Sequence, residues 1–324
     1  MRRREWLRMG LASAGAGFGC KRRRPGKIVV ATSPHVSMSG LYLAHESGYF
    51  EQAGLEVEFQ RIPMGTEALP LLAGGKLDAS FFALTPSLIN AIAKGAKVRI
   101  VAGREIAVSC NETCTLYLSR KAFPGGSAEL SRLKGKRVAV SGATLTHFCL
   151  DKFLEPAGLS SKDLDIRSMR PSDATVAMTA GRLDAIITGR MDRDVKSFSE
   201  ATFRVRTLAQ ALPDYQYSFI VFGKSLLAGD VSVGARFLAS YLRGAREFAG
   251  GRTPQFLYDY AKTNNLDPHT VINACRETTT LDGSVDLRSL DIFVDWAAGM
   301  KFSEKRVPAA EMVDTRFLEE ARKL

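Results

Sequence analysis

The chain repeats itself. Gly26-Lys-Ile-Val-Val30 is answered by Gly135-Lys-Arg-Val-Ala-Val140, Glu51-Gln-Ala-Gly-Leu55 by Glu155-Pro-Ala-Gly-Leu159, and Gly75-Lys-Leu-Asp-Ala79 by Gly181-Arg-Leu-Asp-Ala185. The three separations are 109, 104 and 106 residues. Each echo alone is ordinary, because glycine after a helix and a short apolar strand are common. Three in one order at a near-constant interval constrain the 324-residue chain to two similar units, one after the other.

The pattern within each unit is alternation of strand and helix. Lys27–Thr32 is an apolar strand, and Gly40–Ser47 has helical spacing and stops at Gly48. Leu55–Phe59 alternates apolar and charged residues, as a half-exposed edge strand does. A helix over Leu69–Ala73 ends at Gly74-Gly75, and Ala79–Ala83 is a buried strand. Thr85-Pro86 then opens another helix, with Thr at the N-cap and Pro in the first turn. Val98–Ala102 is the next strand. This βαβα order predicts mostly parallel sheets with helices on both faces. After Ile187 the pattern changes. Arg204–Leu208 and Tyr217–Gly223 read as strands, and helices are expected over Val231–Phe248, Pro254–Thr263, Pro268–Thr278 and Leu287–Ala298. This tail has no second core of its own and is expected to pack back onto the first unit.

The net charge of +11 is unevenly placed. Residues 1–24 hold eight Lys/Arg and one Glu, so the remaining body is only mildly basic. Basic runs with interleaved aromatics, which a nucleic-acid groove needs, are not visible, and no nucleic-acid partner is expected. The N-terminus reads as a targeting segment, with Arg3-Arg4-Glu5-Trp6-Leu7-Arg8 like a twin-arginine export motif and a short apolar Met9–Gly19 stretch. Gly17-Phe18-Gly19-Cys20 is similar to a lipoprotein cleavage box without the usual Leu, so Cys20 is a candidate membrane tether. The competing reading is a basic tail on a cytosolic protein. Export to the periplasm or the outer face of the membrane would place the other cysteines in an oxidising compartment. Cys110 and Cys114 could then close a small loop or remain two free thiols, while Cys149 and Cys275 read as small core residues.

In open α/β sheets ligands bind beyond the carboxyl ends of strands, where helix N-termini point outward. Three loops meet that condition: 33–39, 83–86 and 141–147. They supply the candidate binding residues Ser33, His35, Ser37, Met38, Ser39, Thr85, Ser141, Gly142, Ala143, Thr144, Thr146 and His147. Thr85 and Thr144 can equally be helix caps and nothing more. None of the four histidines has metal-pair spacing, and no nucleophile elbow or phosphate-binding loop is present. No cofactor, no metal and no catalytic pair is expected. Asp78 and Asp184 recur at one place in the repeat, just before a strand, which favours a structural role on backbone N–H groups.

The stretches Gly40-Leu-Tyr-Leu-Ala-His-Glu-Ser-Gly-Tyr-Phe50, Gly54-Leu-Glu-Val-Glu58 and Ala73-Gly-Gly-Lys-Leu-Asp-Ala79 carry a resemblance, together with Val138–Gly158 and Val313-Asp-Thr-Arg-Phe-Leu318. They resemble the substrate-binding proteins of ABC transporters of the SsuA/THI5-like (NMT1-like) family. The resemblance implies a type II periplasmic-binding fold: two mixed sheets flanked by helices, with a ligand cleft between lobes. Lobe 1 would be 27–117 with 218–324, and lobe 2 would be 118–217. It implies a monomer that captures a small organic ligand, such as a sulfonate, an aromatic carboxylate or a pyrimidine-like molecule, and delivers it to a membrane permease and ATPase. Met38 and Tyr217 would pack on the ligand's apolar part. Arg190, where relatives often carry an acidic residue and a proline, is either a partner for an anionic ligand or a solvated loop charge. An enzyme of the thiamine-precursor-synthase type and a ligand-sensing regulatory module share the architecture. The cysteine-rich stretch of the former is missing.

Overall fold

Lys27–Thr32 (β1) is buried almost end to end because it lies in the interior of a sheet with helices over both faces. The computed structural model describes residues 26–324, apart from 34, 63–64, 111–112, 143, 190–195, 274 and 277. The basic N-terminal segment with Cys20, and the candidate residues Ala143 and Arg190, lie outside the described residues.

Among the described residues ten strands form two sheets of five. The first contains β1, Glu56–Arg61 (β2), Ala79–Ala83 (β3), Arg99–Ile106 (β4) and Gln216–Phe222 (β10), in the order β2-β1-β3-β10-β4. The second contains Thr115–Ser119 (β5), Arg137–Val140 (β6), Asp165–Ser168 (β7), Ala185–Thr188 (β8) and Thr202–Thr207 (β9), in the order β7-β6-β8-β5-β9. In each sheet the first three strands run parallel, and the fourth runs antiparallel to both its neighbours. The orders match strand for strand, with β10 playing in the first sheet the part that β5 plays in the second. The two sheets therefore exchange their antiparallel strands, and the chain passes between them at 107–114 and again at 208–215.

The repeated residues have local reasons. Asp78 Oδ2 accepts from the amide of Val29 at 2.7 Å, and Asp184 Oδ2 accepts from the amide of Arg137 at 2.9 Å. Each carboxylate satisfies a backbone donor at the start of its unit's first strand, the structural role expected for both. The repeated Gly75 and Gly181 lie at φ 73° and 70°, in the left-handed region that side-chain-bearing residues avoid. The edge pattern of Leu55–Phe59 is realised in β2, which lies at the sheet margin with alternating burial.

One apolar core runs through both sheets. It joins Val29, Ile100 and Val221 of the first to Leu116, Val138 and Ile187 of the second, by way of Phe148, Tyr215, Phe293 and Trp296. The helix Leu145–Leu154 after β6 meets the C-terminal helix Leu287–Gly299 there. Phe148 and Trp296 stand 5.5 Å apart, edge to face. A second cluster lies on the far face of the first sheet, under the long amphipathic helix Val231–Ala249.

Two expectations are corrected. The helix expected over 268–278 ends at Ile272. Farther on, Thr278–Thr280 lie against the end of β4, where Ile106 donates to Thr278 O at 2.8 Å and Thr280 donates to Arg104 O at 2.7 Å. Cys110 is bonded to Cys275, 165 residues away, with Cα atoms 5.5 Å apart. Cys114, its neighbour in sequence, is a buried free thiol, as is Cys149. The first crossover and the segment after Ile272 come together only in the folded chain, so short spacing was no guide to the pairing. Among the described residues no helix is long and apolar enough to cross a membrane.

Candidate functional site

A cleft of about 450 Å³ opens between the two sheets. From the first sheet's side it is lined by His35, Ser37, Gly40, Glu105 and Tyr241, and from the second by Ser141, Thr146, Ile187, Thr188 and Gly189. Tyr260, Thr270 and Val271 close one flank, with the Cys110–Cys275 disulfide and Thr278–Thr279 beside them. The carboxyl ends of β1, β4, β6 and β8 all feed this space, the position that strand topology reserves for ligands.

On the first wall, His35 caps the short 3₁₀ turn Val36–Met38. Its Nδ1 accepts from the Ser37 amide at 3.2 Å and lies 2.9 Å from the Ser37 hydroxyl. With Nδ1 accepting, the ring proton resides on Nε2, which is left as a donor. Desolvation between the cleft walls and the charge of Arg104 push the imidazole down to about 4, so it is neutral at neutral pH. A solvent-facing edge at the cleft mouth tempers the size of that shift and leaves its direction.

Behind this loop lies a buried ion pair on β4. Arg104 and Glu105 are 5% and 7% exposed, and Arg104 Nη2 stands 2.5 Å from Glu105 Oε2. The guanidinium also donates to Ser218 Oγ at 2.8 Å and to the Ser37 carbonyl at 2.7 Å. It thus ties β4, β10 and the His35 loop together. Burial pushes the Glu105 carboxyl up, while Arg104 and Ser218 pull it back toward the charged form. Burial likewise raises the Tyr241 phenol, which keeps it protonated.

On the second wall, the loop after β6 is held by its own side chains. The Ser141 amide donates to Thr146 Oγ1 at 2.9 Å, and Thr144 Oγ1 lies 3.1 Å from the same oxygen. Thr146 therefore shapes the loop while also facing the cleft.

Residues 35–250 match the NMT1/THI5-like family. That span is two thirds of the chain. The chain belongs to the NMT1/THI5-like family.

Relatives of this NMT1/THI5-like protein include a Haemophilus influenzae protein whose name places it in thiamine biosynthesis, 30% identical over 151 residues. The match spans 46% of this chain and 45% of that relative, less than half the length of either. Among solved structures, the alkanesulfonate-binding protein SsuA from Xanthomonas axonopodis pv. citri, bound to MOPS, superposes with a TM-score of 0.71 at 19% identity, over 91% of this chain and 100% of that one. A ligand-binding component of an ABC-type import system from Staphylococcus aureus gives 0.71 at 12% identity, over 91% and 98%. The desulfurization enzyme DSZB gives 0.64 at 12% identity, over 92% and 99%. At these identities the likeness establishes the periplasmic-binding-protein fold.

Within this NMT1/THI5-like fold, the candidate residues separate. His35, Ser37, Ser141 and Thr146 are brought together in the cleft lining. Ser33 is half-buried just outside it and its carbonyl accepts from the His35 amide at 2.9 Å. Met38 is core beneath the loop, because its side chain points into the cluster under Val231–Ala249. Ser39 is buried and donates to Val36 O at 2.6 Å. Thr85 is the N-cap of Pro86–Ala93, accepting from the Leu88 amide, so capping accounts for it. Gly142 turns the second loop at φ 71°, and Thr144 faces Thr146 rather than the cleft. His147 points the other way, against Trp296 and Phe302, because the first helical turn aims it at the C-terminal helix. Tyr217 lies in the shared core.

Sequence reasoning passed over Glu105, Tyr241, Thr188 and Tyr260. For Glu105 a signal existed. Arg104-Glu105 interrupts an apolar run that β4 continues through to Ile106, and buried charge in a strand is the informative exception. Tyr241 had none, since on a long amphipathic helix it reads as core.

Proposed function

We propose that the chain is an extracytoplasmic solute-binding protein that captures a small organic molecule for an ABC-type importer. The lobes would be 27–117 with 218–324, and 118–217. The observation that carries this reading is that one cleft is lined from both sheets, by Ser37 and Glu105 on one side and Ser141 and Thr188 on the other. A ligand touching both walls binds the closed form better than the open one, and that differential affinity drives closure. Hydroxyls and the neutral His35 orient such a ligand, and Tyr241, Phe248 and Tyr260 supply apolar surface. The solute classes in view are sulfonates, aromatic carboxylates and pyrimidine-like molecules. The export-type N-terminus and the Cys110–Cys275 bond support a location outside the cytoplasm, with delivery to a permease and ATPase.

The test is a thermal-shift screen of the purified chain against those three classes, followed by small-angle scattering with any hit. Binding is expected to raise the melting midpoint and shrink the radius of gyration, and the hit is expected to be recovered unchanged. Conversion of the hit into a product would favour an enzyme on this fold instead.

A further inference from the structure

One wall of the cleft is assembled from two strips of chain that are far apart in sequence. Cys110, Thr113 and Cys114 come from the first crossover, and Cys275, Thr278 and Thr279 from the segment after the helix Pro268–Ile272. The second strip is fixed to β4 at one end, where Thr279 bridges to Glu105. At its other end it leads back into a flank made of the helices Gln255–Thr263 and Pro268–Ile272, which brings Tyr260, Thr270 and Val271 to the cleft. That flank is anchored from behind to the helices Ser39–Glu46 and Val231–Ala249. Glu46 accepts from the amides of Gln255 and Phe256 at 2.7 and 3.0 Å, and the Phe256 ring stacks on Tyr42. Arg276 donates to the Phe248 and Ile272 carbonyls at 2.7 and 3.1 Å. These contacts hold its back. The Cys110–Cys275 bond closes its cleft side, across the seam between the two strips.

A seam shut by a covalent bond needs no ordering when a solute arrives, so the wall is preorganised. Cys110 is exposed and Cys275 half-buried, which puts the bond within reach of a small reductant. Two thiols of such a reductant pass two electrons and two protons to it. The bond parts into two cysteine thiols and the reductant leaves as a disulfide.

We propose that the Cys110–Cys275 bond is a redox-dependent positioning element of the cleft. Oxidised, it holds the flank as a wall; reduced, it lets the flank part from the crossover and weakens capture. Capture is thereby confined to an oxidising compartment. This rests on the binding function proposed above and adds its regulation.

The experiment is amide hydrogen exchange on the oxidised chain and on the chain reduced with a dithiol, well below both melting midpoints. Exchange over 255–272 is expected to quicken at least about 10-fold on reduction and to be insensitive to low urea, the mark of a local opening. C110A/C275A, which needs no reductant, carries the same expectation. Unchanged exchange over 255–272 overturns the proposal. So does faster exchange there that follows urea as the strands do, since that is loss of global stability alone. In parallel the two forms are titrated calorimetrically with benzenesulfonate, benzoate and 4-aminopyrimidine, one for each solute class. Whichever binds the oxidised chain is expected to bind the reduced chain about 10-fold or more weakly, and to recover when oxidised glutathione restores the bond. Equal affinity in the two states overturns the proposal. If none of the three binds, the exchange result decides it alone. Failure of every solute in the wider screen would count against the binding function and leave the exchange result standing.

Discussion

The indole Nε1–H of Trp296 donates to Asp151 Oδ2 at 2.7 Å, inside the core shared by the two sheets. Asp151 Oδ1 accepts from the Ser161 amide at 2.6 Å, so a single buried carboxylate serves the helix after β6, the loop that follows it and the C-terminal helix. This contact lies among Phe148, Phe293 and Phe302.

Removing either partner leaves a buried polar group unsatisfied. Asp151→Ala is expected to cost about 2–4 kcal/mol, because two donors lose their acceptor, and Trp296→Phe about 1–3 kcal/mol. Urea unfolding of both single variants and the double variant would show a coupling of about 1 kcal/mol or more. Strict additivity would mean the hydrogen bond contributes nothing.

The Cys110–Cys275 bond closes a loop of 165 residues in sequence. Its loss in Cys110→Ser, or on reduction, is expected to lower stability by about 2–5 kcal/mol. Peptide mapping without reductant should return 110 joined to 275, with Cys114 and Cys149 alkylated only after unfolding, since both are buried. A 110–114 peptide would contradict this pairing.

His35 gives stability a slope with pH. Its folded value is held below the ordinary 6.5, first by desolvation and then by the charge of Arg104. As pH falls the unfolded chain takes up the proton first. The contribution is therefore complete above about 6.5 and is lost as pH drops toward 4. Melting midpoints of the native chain and His35→Gln should converge across that window. Parallel curves would show that His35 titrates normally.

Gly244 sets the distance between two helices. A Cβ there would sit 2.4 Å from the Gly40 carbonyl oxygen and 2.8 Å from the Ala44 Cβ. Gly244→Ala is expected to destabilise by about 1–3 kcal/mol, by pushing away the helix Ser39–Glu46 that follows the His35 loop. Gly299→Ala, with open space at its Cβ, is the control and should be neutral or slightly stabilising. Equal melting midpoints for the two variants would show that the helices separate freely.

The sequence by itself determined the doubled architecture. Its signals are local: left-handed glycines at the same place in each unit, an aspartate that reaches back to its own first strand, and caps such as Thr85 at a helix start. Turn chemistry and short-range hydrogen bonds act over a few residues or one βα unit, so they leave marks that a single chain can show. The same locality placed the His35 loop and the Ser141–Thr146 loop at the carboxyl ends of strands. Which side chains in them face the cleft was decided elsewhere. His147 turned toward Trp296, and Met38 went into the core, because helices more than a hundred residues away were there to receive them, and Tyr217 went into the core shared by the two sheets. Cys275 reached Cys110, and Glu105 came to face Ser141 and Thr188, only because β5 and β10 cross between the sheets and bring distant segments to one gap. Pairings of that kind depend on where the crossovers place the chain in space, and neither spacing nor periodicity encodes it.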